Sequence, residues 1–226
     1  MDDKCIIINV GRQIGAGGRN LAKMLADDFC ATFYDKELLL LAARESGLSE
    51  RVFEQNDERK GFLKSLLRLH SPLPGDSFYQ AGLSQDELFK FQSDAIRKAA
   101  AEGPCVFVGR CADYVLRDMT RMVSVFVTAP LDYRVTQVVR RHECSEQEAR
   151  RIIEKAESQR ATYYNYYTGK RWGAAESYDL CIDASLLGLE ATEHFVAQFV
   201  RQRFGLEGAA EMPSRPMVAE NNANTL

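Results

Sequence analysis

The first part of the chain constrains the fold more than any other stretch. Residues 4–10 are rich in isoleucine and valine, which is typical of a buried parallel strand. Gly11, Gly15, Gly17 and Gly18 follow, and apolar residues at helical spacing begin at Leu21. A strand, a glycine loop and a helix in this order direct backbone N–H groups and a helix N-terminus toward one point, which suits a phosphate. One glycine would suffice for a plain turn, so four indicate a phosphate-binding loop.

The loop does not satisfy the Walker A pattern of P-loop proteins, G-x-x-x-x-G-K-[ST]. When residues 15–17 are aligned with the second half of that loop, Gly18 takes the place of the lysine. Arg12 then takes the place of the first glycine, and Arg19 and Asn20 stand where a serine or threonine would bind magnesium. A kinase built on this loop needs another source of positive charge near the phosphates.

The same loop also fits a dinucleotide-binding site. Its glycines across residues 11–17 are spaced G-x-x-x-G-x-G, and Asp35 closes the next predicted strand, where an acid would bind a ribose. Tyr166 and Lys170 have the Y-x-x-x-K spacing of short-chain dehydrogenases, a pair that must lie on one continuous helix. Gly169 stands between them, and a glycine inside a helix costs about 1 kcal/mol. This break disfavours an NAD(P)-binding dehydrogenase, which stays an alternative.

Length and composition indicate a soluble globular protein. The chain has 226 residues, 46% of them hydrophobic and 27% charged, with a formal net charge of −3. This balance argues against nucleic acid as a partner. No apolar run approaches the roughly 20 residues of a membrane span, and no signal peptide is expected. Six cysteines without C-x-x-C spacing indicate reduced thiols in a cytoplasmic protein, and three scattered histidines predict no metal site.

Five short apolar strands alternate with helices along the chain. The strands are predicted over residues 4–10, 31–34, 105–108, 122–127 and 178–183, and the helices over residues 34–45, 88–101, 114–118, 132–167 and 189–204. This alternation is typical of an α/β protein with a doubly wound, five-stranded parallel sheet. We predict one domain over residues 1–206 with an insert over about 50–86, and a disordered tail over 207–226.

The carboxyl ends of parallel strands meet at one edge of the sheet, where ligands bind. The glycine loop, Asp35, Arg110 and Thr128 all follow predicted strands at this edge. Arg110, beside a glycine, can bind a phosphate or carboxylate with two parallel N–H groups. A predicted helical hairpin over about 132–173 is rich in arginine, with Arg134, Arg140, Arg141, Arg150, Arg151 and Arg160. Such a hairpin suits a lid that closes over polyphosphate and excludes water.

Five motifs along the chain are distinctive: Gly-Ala-Gly-Gly-Arg at 15–19, Phe-Tyr-Asp-Lys-Glu-Leu at 33–38, Val-Gly-Arg-Cys-Ala-Asp-Tyr at 108–114, Tyr-Tyr-Thr-Gly-Lys at 166–170 and Tyr-Asp-Leu-x-Ile-Asp at 178–183. Together they resemble the motifs of the cytidylate kinase-like family of bacterial P-loop proteins. The resemblance covers roughly residues 4–204 and implies the P-loop kinase type of fold, with a lid and an acceptor-side insert. It implies an activity similar to that of cytidylate kinases, which transfer the γ-phosphoryl group of ATP to CMP or dCMP with Mg²⁺.

The resemblance also implies roles for individual residues. Those that would bind the ATP phosphates are Arg12, Gly15, Ala16, Gly17, Gly18, Arg19 and Asn20. Those that would bind the acceptor nucleotide are Asp35, Arg110 and Asp113. Arg160 matches a lid arginine that would bridge donor and acceptor, and Arg151 is expected to act as a second one.

Two departures from true cytidylate kinases bear on activity. Gly18 replaces the P-loop lysine, and Cys111 stands where those enzymes have an aspartate, which bears on the choice of acceptor. We expect Arg19, at the start of the first helix, to supply the missing charge. Arg12 is expected to contribute less, because its direction is less constrained. Kinase chemistry on another small acceptor and a nucleotide-binding regulator without efficient turnover remain alternatives.

Overall fold

The computed structural model describes residues 5–35 and 85–206 of the chain. Its five strands are β1 (Ile7–Arg12), β2 (Thr32–Tyr34), β3 (Cys105–Phe107), β4 (Met122–Thr128) and β5 (Leu180–Asp183). They form one sheet in the order β2-β3-β1-β4-β5, and every pairing is parallel. The strand that leads into the glycine loop therefore lies in the centre of the sheet, supported on both sides.

The described helices connect and cover these strands. They are α1 (Gly18–Asp28), α2 (Gln85–Glu102), α3 (Ala112–Val115), α4 (Leu131–His142), α5 (Glu146–Thr168), α6 (Ala184–Leu187) and α7 (Leu189–Arg203), with a 3₁₀ turn at Ala175–Ser177. The predicted hairpin corresponds to α4 and α5, which pack through Val135, Val138, Ala149 and Ile153. None of the helices in the described ranges is long and apolar enough to cross a membrane.

Both faces of the sheet are buried, as expected for a doubly wound fold. Ile8 and Val10 of β1 pack on one face in a cluster with residues of α1 and α7. Ile7 packs on the other face with residues of α2 and α3. This division follows from the period of two in a strand, which sends successive side chains to opposite faces. The predicted five-stranded parallel α/β fold is confirmed.

The structure differs from the sequence-based prediction in two places near the candidate site. Strand β1 extends to Arg12, because Gly11 and Arg12 continue to pair with Phe126 and Val127 of β4. The short helix α3 covers Ala112–Val115 instead of residues 114–118, because it begins directly after a left-handed turn. Of the helix predicted over 34–45, Tyr34 instead belongs to β2, and residues 36–45 lie outside the described residues. Residues 50–84 of the predicted insert and the predicted tail also lie outside them. Residues 85 and 86, also assigned to the insert, belong to α2.

Candidate active site

The glycine loop between β1 and α1 packs closely against the hairpin. Gly15 and Gly17 have φ angles of 80° and 83°, which other residues rarely adopt. A Cβ on Gly15 would lie 2.6 Å from the backbone oxygen of Arg134, so the loop can approach α4 only with a glycine there. Gly17 is the N-cap of α1, and Gly18 is its first helical residue. The loop and the helix N-terminus thus form the arrangement that binds phosphate.

The start of the loop is also attached to the end of β4. The N–H of Gln13 donates to the carbonyl of Val127 at 3.0 Å, and the hydroxyl of Thr128 donates to the side-chain oxygen of Gln13. The sequence singled out Thr128 as a strand-end residue but gave no sign of its partner. Ala16 is buried in the loop, whereas Asn20 is exposed on the first turn of α1.

Arg12 ends β1 with its side chain lying against two glycines. A Cβ on Gly18 would lie 2.5 Å from the Cβ of Arg12, and a Cβ on Gly109 would lie 2.6 Å from its Nη1. Burial lowers the pKa of Arg12 well below its usual value, and the charges of Arg160 and Arg110 lower it further. A bound anion would relieve this crowding of positive charge.

Arg19, by contrast, is paired with Asp35 at the end of β2. Its Nε and Nη2 donate to Oδ2 of Asp35 at 3.1 and 2.5 Å. The side chain of Arg19 is 39% exposed, and its guanidinium lies 5.7 Å from the ring centre of Phe33. The charge of Arg19 is thus directed toward the end of β2 and is largely balanced by Asp35. The expectation that Arg19 is the main substitute for the P-loop lysine stays a prediction, and this placement favours Arg12.

Arg110 lies in a strained turn at the end of β3. Gly109, Arg110 and Cys111 have φ angles of 70°, 61° and 56°, so three left-handed residues follow one another. Such conformations are costly for side chains other than glycine, and they occur where the surrounding structure enforces them. Burial lowers the pKa of Arg110, and the nearby hydroxyl of Tyr163 on α5 opposes this shift. The turn therefore directs a half-buried guanidinium toward the hairpin.

Cys111 occupies the position where true cytidylate kinases have an aspartate. It is buried, and burial raises the pKa of its thiol to about 12. The thiol is therefore neutral near pH 7 and acts as a packing group beside Arg110.

The hairpin brings Arg160 onto the glycine loop. Nη1 of Arg160 donates to the backbone carbonyl of Arg12 at 3.0 Å. Burial lowers the pKa of Arg160 to about 10, and the charge of Arg110 is a second cause. Arg151 lies nine residues earlier on α5, about two and a half turns away and so on the opposite face, where it is exposed. The structure therefore brings Arg160, but not Arg151, to the other arginines.

A partly buried ion pair joins the two helices of the hairpin beside the loop. Arg134 and Glu157 form it at 2.5 Å, and Nε of Arg134 also donates to the carbonyl of Ala129 at 2.8 Å. Ile14 of the loop also faces Glu157, and its backbone N–H is one of the groups that stabilise the carboxylate. Burial raises the pKa of Glu157, and Arg134 opposes that rise. The sequence showed Arg134 only as one of many arginines, because its partners lie on separate segments.

Asp113 lies in a buried network below these arginines and is 1% exposed. Asn9 donates to its Oδ1 at 3.2 Å, and the hydroxyl of Tyr164 donates to its Oδ2 at 2.7 Å, with Nζ of Lys170 3.9 Å from the same oxygen. Burial raises the pKa of Asp113, while Tyr164 and Lys170 oppose the rise. The carboxyl group thus joins β1, α3 and α5. This placement gives no support to the prediction that Asp113 contacts an acceptor.

The tyrosines at the end of α5 do not form a dehydrogenase pair. Tyr167 stacks on Phe89 of α2 with ring centres 4.0 Å apart, whereas Tyr166 is 71% exposed. Helix α5 ends before Gly169, whose φ is 67°, and Lys170 lies beyond it. Tyr166 and Lys170 therefore do not share a helix, which removes the geometry that a short-chain dehydrogenase needs.

The described residues fit the phosphates of a nucleotide better than a protein-bound metal. In the ranges 5–35 and 85–206, no group of three or more His, Cys, Asp or Glu side chains could hold a metal ion. Asp35, the carboxylate beside the arginines, is paired with Arg19. Arg19 also takes the place of the Walker A serine or threonine. We therefore treat Mg²⁺ only as part of the incoming nucleotide.

Comparison with known proteins finds one matching family and several similar structures. The model of the cytidylate kinase-like family matches residues 7–186. An uncharacterized protein from Eubacterium ventriosum ATCC 27560 has a similar structure, with a TM-score of 0.64 and 25% identity over 86% of this chain and 98% of that one. The shikimate kinases of Acinetobacter baumannii and Bacteroides thetaiotaomicron give TM-scores of 0.45 and 0.48 at 11% and 15% identity. Each covers 88% of this chain, with 95% and 98% of their own lengths covered. None of the curated protein sequences matches the chain.

Proposed function

Because the chain belongs to the cytidylate kinase-like family, we propose that it transfers the γ-phosphoryl group of ATP to a nucleoside monophosphate, with CMP or dCMP as the first choice. One observation carries the proposal. Arg12, Arg110 and Arg160 converge beside the glycine loop, where burial lowers the pKa of all three and the charge of Arg110 further lowers the pKa of Arg12 and Arg160. Phosphoryl transfer requires this kind of spread positive charge and little covalent chemistry from the protein.

The donor side of the site is the glycine loop. Its left-handed glycines and the N-terminus of α1 would hold the phosphates of ATP, and Arg12 lies beside them. The nucleotide would enter with its own Mg²⁺, which neutralises part of the phosphate charge. The residues of the loop bind and orient the chain of phosphates and leave its terminal group facing the arginines.

The acceptor side lies at the ends of β2 and β3. Arg110 would bind the acceptor's phosphate with two parallel N–H groups, since the left-handed turn directs its side chain toward Tyr163 and the hairpin. Asp35 and Arg19 would face the nucleoside part of the acceptor, where a carboxylate can accept from an amino group and a guanidinium can donate to a carbonyl. This pair suits the exocyclic amine and carbonyl of cytosine.

The hairpin would complete the site and exclude water. Arg160 contacts the end of β1 and lies between the two sides, where its charge can stabilise the phosphoryl group in transfer. The ion pair of Arg134 and Glu157 holds the two helices of the hairpin together, and Glu157 also faces Ile14 of the loop. Water kept out by the hairpin cannot compete with the acceptor for the phosphoryl group.

The proposal is tested in two steps with the full chain. A thermal-shift panel compares ATP, GTP, NAD and NADP, each with magnesium, and ATP is expected to raise the melting temperature. A transfer assay then offers CMP, dCMP, UMP, AMP and small hydroxyl acceptors, and we expect ADP formation to depend on CMP or dCMP. Stabilisation by NAD or NADP alone would overturn the proposal.

A nucleotide-binding regulator is the second candidate, and Gly18 is the observation that favours it. A loop without the Walker A lysine can bind ATP through backbone N–H groups and still transfer phosphate poorly. ATP-dependent stabilisation without transfer to any acceptor of the panel would select this function. A transfer to a hydroxyl acceptor and to no nucleotide would instead select the small-acceptor kinase.

A further inference from the structure

Gly18 and Arg12 face each other across the glycine loop. The small residue and the long basic residue stand at the opposite positions from those of a Walker A loop. Such a loop has glycine at the position of Arg12 and lysine at that of Gly18. Glycine and a long basic side chain have thus exchanged places. We propose that Arg12 and Gly18 are one reciprocal replacement, and this proposal rests on the function proposed above. Arg12 supplies the phosphate-binding charge of the missing lysine, and Gly18 leaves room for the aliphatic part of the Arg12 side chain.

The steric part of the proposal rests on the contact between the two positions. A Cβ at residue 18 would lie 2.5 Å from the Cβ of Arg12 and 3.1 Å from its Cγ. The Cβ of Arg12 cannot move away, because Arg12 pairs with Val127 in the central strand of the sheet. A lysine at 18 is therefore incompatible with any side chain at 12, and the two positions must change together.

The electrostatic part rests on the surroundings of the guanidinium. Its Nη1 lies over Gly109, where a Cβ would come within 2.6 Å, so a second glycine leaves room for the head group. Within residues 5–35 and 85–206, Arg12 forms no ion pair with a carboxylate. Asp35, whose charge acts on Arg12, is paired with Arg19. The strand end and the two glycines thus fix the guanidinium beside the loop, with an anion as its missing partner.

The experiment restores the Walker A arrangement by two substitutions. Arg12→Gly removes the charge, Gly18→Lys introduces the clash, and the double variant reads G-x-x-x-x-G-K. We measure turnover with ATP and the best acceptor, and binding of tripolyphosphate by calorimetry at low salt. Arg97→Ala is the control, since Arg97 is an exposed arginine in the second half of α2, whose end leads into the opposite edge of the sheet.

We expect each single substitution to lower both turnover and tripolyphosphate affinity at least tenfold. The double variant should exceed Arg12→Gly at least tenfold in both measurements. Arg12→Lys keeps a positive charge and should retain more turnover than Arg12→Gly. Their comparison shows whether the turnover lost in Arg12→Gly arises from the lost charge or from misfolding. Circular dichroism and the melting temperature monitor the fold of every variant.

Two results would overturn the proposal. One is an Arg12→Gly variant with the turnover and tripolyphosphate affinity of wild type. The other is a folded double variant that is no better than Arg12→Gly. If wild type transfers no phosphoryl group, the proposed function fails, but the tripolyphosphate measurements still decide the roles of Arg12 and Gly18. Loss of affinity in the Arg97→Ala control would show that binding is nonspecific, which also counts against the proposal.

Discussion

Arg160 of the hairpin donates a hydrogen bond from Nη1 to the backbone carbonyl of Arg12, at 3.0 Å. This contact joins residues 148 positions apart and places one guanidinium directly above the strand end that carries another. Since both side chains have lowered pKa values, the contact is made at an electrostatic cost that a bound polyphosphate would offset.

Arg160→Ala should therefore lower the rate of phosphoryl transfer more than it lowers ATP affinity. Loss of one such donor to a transition state costs roughly 10²–10³ in turnover. We expect a fall of about 10² in single-turnover rate, with ATP affinity within threefold. Arg151→Ala should stay within threefold of wild type in both, because Arg151 lies on the opposite face of α5. An equal loss in the two variants would instead uphold the sequence-based prediction that Arg151 also acts on the phosphates.

Arg110→Lys should weaken acceptor binding. Lysine keeps the charge but loses the planar pair of donors that can bind a phosphate. A charge-assisted hydrogen bond is worth about 1.5–3 kcal/mol, so the acceptor's KM should rise about 10- to 150-fold, with a smaller change in the KM of ATP. An unchanged acceptor KM would show that Arg110 does not bind the acceptor.

The sequence predicted those local features that depend on residues adjacent along the chain. Ser145 and Glu148 have the spacing of a capping box, which is typical of a helix start, and the hydroxyl of Ser145 accepts the N–H of Glu148 at 3.2 Å. The strands and the glycine loop were likewise set by local composition. The relation between Arg12 and Gly109 could not be predicted, because it depends on how far β1 continues beside β4 and on a turn almost a hundred residues later. Arg19 looked better placed than Arg12 only because its pairing with Asp35 was not visible.

Tyr164→Phe should destabilise the fold through Asp113. The substitution removes a 2.7 Å hydrogen bond to a buried carboxyl group and leaves that oxygen with Lys170 at 3.9 Å. We expect a loss of about 1–3 kcal/mol in the free energy of unfolding, measured by urea denaturation. Tyr166→Phe is the matched control on the same helix; because Tyr166 is 71% exposed, its effect should stay within about 0.5 kcal/mol. Equal effects of the two substitutions would contradict a structural role for the Tyr164 contact.

The cysteines should differ sharply in their reaction with iodoacetamide. Burial raises the pKa of Cys105 and of Cys111 to about 12, so each thiol stays protonated as the pH rises toward 8. The thiolate is the reactive form, and only about one in 10⁴ of these groups would be ionised at pH 8. Cys30 is exposed and should be alkylated in the native protein. Mass spectrometry should find Cys105 and Cys111 modified only after unfolding; rapid native labelling of Cys111 would contradict its placement as a packing group.

Arg19→Ala should act on the acceptor and not on the transfer step. Arg19 is paired with Asp35 and is partly exposed. Its removal therefore takes away a positive charge beside the Asp35 carboxylate at the end of β2, while Arg12 keeps its place beside the loop. We expect the acceptor's KM to rise severalfold and turnover at saturating acceptor to stay within threefold of wild type. Asp35→Asn should change the same parameter, and the double variant should differ little from either single one, because the two side chains act as a pair. Steady-state kinetics of the three variants provide the measurement. A tenfold or greater loss of turnover in Arg19→Ala, with an unchanged acceptor KM, would restore Arg19 as the substitute for the P-loop lysine and remove Arg12 from that role.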